Sequence, residues 1–141
     1  MKVSKDLKWV IPFVHFVEDM YPNVKKLTEI RTIRFSYKSR DRAYGLLEDL
    51  GNGKYKLSLR THYQYIDFYP LSVTKKSFSK LDLLITLAHE LAHLYEWEHT
   101  PEHRVLENEI CTAFMFKLKQ QGYKSEEYEL DGSNIIERMI K

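Results

Sequence analysis

The segment His89-Glu90-Leu91-Ala92-His93 sets two imidazoles four positions apart, with a carboxylate directly after the first. On a helix, residues four apart lie on the same side, roughly one turn from each other. The two rings can therefore share one metal ion. Glu90, about a third of a turn round, can reach a coordinated water without ligating the metal itself. Zinc suits imidazole ligands and lowers the pKa of its water toward neutrality. Glu90 would take that water's proton and pass it to a leaving group. The expected chemistry is hydrolysis, foremost of a peptide bond, with one Zn2+ per chain held by His89 and His93 and a protein or peptide as substrate.

A five-residue motif also arises by chance, and an isolated histidine is more often an ordinary core or surface residue. Two features weigh against that here. Two imidazoles on a mostly apolar helix would be costly to bury without partners. Four of the six histidines also fall in one short stretch, at positions 89, 93, 99 and 103. A catalytic zinc commonly has three protein ligands and one open position. His99 follows His93 by six residues, just before a helix start, where a turning chain can aim it back at the metal. It is the expected third ligand, with His103 and Glu109 as alternatives. Tyr95, His103, Tyr123 and Tyr128 are candidates for stabilising an oxyanion. Glu96, Glu98 and Glu102 read as an acidic rim, one of which could orient a ligand ring through its other nitrogen. His15 and His62 read as structural or surface residues.

These residues depend on two helices. Ser79 with Asp82 three positions on forms a capping box. Leu81, Leu84, Ile85, Ala88, Leu91, Ala92 and Tyr95 then fall on one broad face, which predicts a largely buried helix carrying the motif. Thr100 caps a second helix with Pro101 at its first position, running to about Gln121 and stopped by Gly122. Ahead of them, Pro12 opens a helix to about Met20, and Glu29 to Lys38 read as a strand. Ala43–Leu50 and Lys54–His62 flank Gly51-Asn52-Gly53 as a hairpin. Tyr63 to Lys76 reads as irregular, with strand character near Tyr65 to Tyr69. A loop from Tyr123 to Gly132 and a short helix over Asn134 to Ile140 complete the expected elements. The expectation is a single α+β domain over residues 1–141, with a small antiparallel sheet of about three to four strands packed on the motif helix and its supports.

The 141 residues suit one domain. No apolar run reaches membrane-spanning length, because charged or polar residues interrupt each one, so no membrane partner is expected. Met1 to Val17 resembles a leader only superficially: Pro12 and His15 break its apolar part, and it reads as an amphipathic first helix. Cys111 is the sole cysteine. No intrachain disulfide is possible, and a cytoplasmic (intracellular) setting is expected, with Cys111 a buried, inert thiol. The net charge of +2 is uneven: Val24 to Arg60 alone carries +6. Its run Arg31-Thr32-Ile33-Arg34-Phe35-Ser36-Tyr37-Lys38 suits a strand facing nucleic acid, and equally the solvated face of a half-buried sheet, which is the simpler reading.

The stretch from His89 to Glu102, with His99-Thr100-Pro101 at its end, resembles the small zincin metallopeptidases of the SprT-like, WLM-type and YgjP-like group. Members typically follow the paired histidines with a third His, then Gly, Ser or Asp, often Pro, and an aromatic one turn on; His103 occupies that aromatic position here. The resemblance implies a minimal zincin-like fold, His99 as third ligand, and, from the SprT-like members, a DNA-associated setting to which the basic 24–60 segment could contribute. Leu106 to Phe114 is also similar to the glutamate-bearing second helix of gluzincins such as the ImmA-like peptidases, which would make Glu109 the ligand. The spacing from His93 is short for that group.

Overall fold

The computed structural model describes residues 1–21, 26–37 and 43–122. The chain opens with a short strand β1 (Lys2–Val3), a 3-10 turn over Lys5–Val10 and helix α1 (Ile11–Met20), with Pro12 in the first turn. There its fixed φ is already helical and its missing N–H is not needed. Strand β2 (Leu27–Ile33) follows, then the hairpin β3 (Gly45–Gly51) and β4 (Lys54–Arg60). Gly51, Asn52 and Gly53 all have positive φ, as the turn predicted from their types requires.

The architecture is α+β, but the main sheet is mixed rather than antiparallel. Its order is β1-β2-β4-β3, with β1–β2 and β2–β4 parallel and only β3–β4 antiparallel. Helix α1 makes the crossover between the parallel strands β1 and β2. The chain then bypasses the next place in the sheet, and the second arm of the hairpin lies beside β2. Burial accounts for this order. Tyr55, Leu57 and Leu59 give β4 an apolar face suited to the centre, whereas β3 carries Glu48 and Asp49 and tolerates the edge.

Residues expected to be irregular, with strand character only near Tyr65 to Tyr69, form a second hairpin, β5 (His62–Phe68) and β6 (Leu71–Ser77), joined through Tyr69-Pro70. The cross-strand pairs Ile66–Val73 and Phe68–Leu71 are exposed, so their alternation marks no inner and outer face. The strand expected to reach Lys38 ends at Ile33. The loop and helix expected after Gly122 lie outside the described residues.

Helix α2 (Lys80–His93) begins as its sequence dictates: the Ser79 hydroxyl accepts from the Asp82 N–H, and the Asp82 carboxylate accepts from the Ser79 N–H. Helix α3 (Pro101–Gln120) begins with the Thr100 hydroxyl accepting from the His103 N–H at 3.2 Å. Leu84, Leu87, Ala88 and Leu91 of α2 pack with Ile110, Phe114 and Leu118 of α3, Phe13, Val14 and Val17 of α1, and Ile30, Leu57 and Leu59 of the sheet, in one core. Phe13 and Phe114 meet edge to face with centroids 5.4 Å apart. Each fully buried leucine stabilises the fold by about 1.5–3 kcal/mol. The core thus fixes α2 between the sheet and α3, and the C-terminal turn of α2 emerges from it carrying the histidines.

Candidate metal centre

Three imidazole nitrogens converge. The Nε2 atoms of His89 and His93 are 3.2 Å apart, those of His93 and His99 3.1 Å, and those of His99 and His89 3.2 Å. Helix phase places the first two. His99 arrives because the chain leaves α2 at Leu94 and turns back before Thr100 caps α3.

The other ring nitrogens are already committed. His89 Nδ1 lies 3.0 Å from Oε1 of Glu107, and His93 Nδ1 lies 3.3 Å from the backbone oxygen of Glu96. A carboxylate and a carbonyl only accept, so both Nδ1 atoms carry a proton, and in the neutral rings both Nε2 atoms present lone pairs. Those lone pairs face each other at 3.2 Å. His99 can supply one proton to one of them. With the rings neutral, the remaining lone pairs repel unless a proton or a metal cation lies between them. Two nitrogens of a tetrahedral zinc at about 2.0–2.1 Å lie about 3.3–3.4 Å apart. The triangle is only slightly tighter, matching N–Zn–N angles of about 100°. The residues present therefore fit zinc.

Electrostatics in the site follow from packing. Burial pulls the His93 pKa down to about 4, helped by the neighbouring His103 and His89 rings. At His89, burial acts downward, but the hydrogen bond and charge of Glu107 outweigh it and hold the ring above its usual value. Burial also raises the Glu90 carboxyl, against the opposing charge of His89 and with the Glu107 charge adding a smaller push upward. Glu90 is only 8% exposed. Strand β3 passes directly over it: a Cβ on Gly45 would come within 2.8 Å of Thr86 Cγ2 and 3.1 Å of Glu90 Cγ. Only a glycine lets the strand approach the motif helix so closely.

The alternatives to His99 have other occupations. The ligand atoms of His103 lie within 4.8 Å of those of His89 and His93, a looser grouping. Its Nε2 lies 3.0 Å from the His89 backbone oxygen, so that nitrogen carries a proton and is already used. Glu109 accepts a hydrogen bond from the Tyr21 hydroxyl instead of facing the histidines. It lines an apolar groove between α1 and α3 with Phe16, Met20, Val105 and Phe116, which contains none of the four clustered histidines. The Tyr95 hydroxyl is directed at the Tyr21 backbone oxygen, while Tyr123 and Tyr128 lie outside the described residues. His15 stands near Glu18, and His62 bonds Thr61.

Sequence reasoning missed Glu107. It is 3% exposed and lies against His89, with its second oxygen 3.9 Å from His103 Nδ1. The signal was available: His103, Glu107, Ile110, Phe114 and Leu118 form one helical stripe, and a carboxylate on a buried stripe requires a partner.

No family model, curated protein or solved structure matches this chain. The site's own geometry must carry the functional reading. Among the described residues, no helix is long and apolar enough to cross a membrane. The described part of the basic 24–60 segment sets several of its cations beside acceptors. Arg31 pairs with Glu29, Lys56 sits in register between Glu29 and Glu48, and Arg60 is buried with its Nε donating to the Ala43 oxygen.

Proposed function

We propose that this protein is a zinc-dependent hydrolase, in particular a peptidase of minimal zincin-like design. The observation that carries the reading is the triangle of His89, His93 and His99 Nε2 atoms, two of which aim lone pairs inward because their Nδ1 protons are held elsewhere. Zinc bound there supplies a Lewis acid that brings a water's pKa near neutrality and polarises a carbonyl. His89, His93 and His99 would hold it. Glu90, next in sequence to His89 and desolvated, takes the proton of the attacking water and returns it to the departing amine. A site whose metal only braced the fold would have no use for a buried carboxylate at this place.

Two further features favour a peptide. His99 is exposed, so the triad opens to solvent and a substrate can approach it. Strand β3 is an edge strand, drawn against Glu90 at Gly45, and its outer side has no partner strand among the described residues. An extended peptide can add to such an edge by main-chain hydrogen bonds.

Protein purified without added metal should contain about one zinc per chain by elemental analysis. Glu90→Gln should keep that zinc and lose cleavage of a peptide-library substrate that the wild type cleaves. Absence of transition metal from the wild type, or undiminished turnover by Glu90→Gln, would overturn the reading.

A further inference from the structure

We propose that His103 is a positioning residue that clamps two metal ligands at once: its ring fixes the imidazole of His93 while its Nε2–H fixes the backbone of His89. This rests on the metal-site reading above. The His103 ring stacks on that of His93, with centroids 4.0 Å apart and planes 27° from parallel. It meets the His89 ring edge-on at 4.7 Å and 77°. Its Nε2 donates to the His89 carbonyl across 3.0 Å. The residue is 3% exposed.

Its own position is set by the start of α3. Thr100 caps α3 through the His103 N–H, which sets the first turn. Glu107, one turn on, holds His89 Nδ1, and its second oxygen lies 3.9 Å from His103 Nδ1. A side chain in the first turn of α3 thereby ties the last turn of α2 to the start of its neighbour. The pair His103 and Glu107 grips His89 by its carbonyl and by its ring, and His93 by the face of its ring. A phenylalanine at this position would supply the ring face and not the donor. A glutamine would supply a donor and not the ring. Histidine is the side chain that offers both in this volume.

The two contributions separate in His103→Phe and His103→Gln, with His103→Ala removing both. The readouts are Zn2+ affinity by competition with a chromophoric chelator and the absorption spectrum of the Co2+-substituted protein. Loss of partners that orient metal ligands commonly weakens binding by about 10–100-fold. His103→Phe and His103→Gln should each lie near the lower end of that range, and His103→Ala near the upper. All three should keep Co2+ bands of the wild-type intensity, shifted in position, because no ligand is lost. His99→Ala should instead lose band intensity. Wild-type affinity in His103→Ala would overturn the inference. So would a His103→Ala spectrum that matches His99→Ala, since that would make His103 a ligand. A merely structural role would lower the melting temperature of metal-free and zinc-loaded protein equally, leaving affinity unchanged. His103→Phe, which keeps the ring volume, carries the test if His103→Ala does not fold. Failure of the wild type to take up Zn2+ or Co2+ would defeat the metal-site reading itself, an outcome distinct from any difference among the variants.

Discussion

Glu107 and Glu109 are two residues apart on α3 and have opposite fates. Glu107 is 3% exposed and bonds His89; Glu109 lies at the surface, bonded to Tyr21 beside an apolar groove. Two residues along a helix are a rotation of about 200°, so one carboxylate faces α2 and the other faces α1. Residue type predicts a carboxylate near a zinc motif, but only helix phase decides which carboxylate. The resemblance to gluzincins would select Glu109 as ligand. The packing brings Glu107 to the histidines, against the Nδ1 of His89.

The largest effect that separates the two faces comes from the site itself. His93→Ala removes one of three nitrogens and should reduce bound zinc from about one per chain toward none. If zinc were unaffected, the Glu107 face would have no special standing. The next effect is on Glu107. Glu107→Ala should weaken zinc by about 10–100-fold. Glu107→Gln keeps an acceptor for the His89 Nδ1–H and should recover part of that loss. The corresponding Glu109 variants should leave zinc affinity within about twofold, because a side chain that does not touch the ligands' partners has no route to them. Zinc loss in Glu109→Gln equal to that in Glu107→Gln would erase the distinction.

Glu109 should report elsewhere. Burial, and then the Glu109 hydrogen bond and charge, push the Tyr21 phenol up to about 12. The folded pKa lies above the unfolded one, so the associated stability is fully present below about 10. It fades as pH rises through about 12. Glu109→Gln should bring the phenol partway back toward its ordinary value, read as an earlier rise of tyrosinate absorbance with pH. Glu107→Gln should leave that rise unmoved.

The two faces also show what the sequence makes legible. Capping and phase are local, and they are read correctly: Ser79 with Asp82, Thr100 with Pro101, and the same-side pair His89 and His93 stand as their spacing predicts. His99 joins them because a turn of fixed length separates two well-capped helices. Pairing between distant segments is different. Nothing in the periodicity of Leu27–Ile33 says whether the first or second arm of the next hairpin will lie beside it, and the mixed sheet follows from that choice. Of the β5–β6 hairpin only the strand character near Tyr65 to Tyr69 is legible, because its apolar pairs face solvent, where alternation loses its meaning. Glu107 was hidden for the reverse reason. A charged residue is ordinarily read as surface, and only its place on the stripe from His103 to Leu118 reveals that it is inside.

Cys111 offers the finest test of the buried face. It follows Glu107 by one turn on that face and is 6% exposed. Burial first, and the Glu107 charge second, push its thiol up to about 12. The reactive thiolate is therefore scarce near pH 8. A thiol reagent should label Cys111 slowly in the folded protein and rapidly after unfolding. Because burial is the larger cause, Glu107→Gln should raise the folded-state rate only modestly, and Glu109→Gln should not change it. A large increase in Glu107→Gln would mean that losing this carboxylate opens the face instead of merely discharging it. Its role would then be to hold α2 and α3 together, with the orientation of His89 a consequence of that packing.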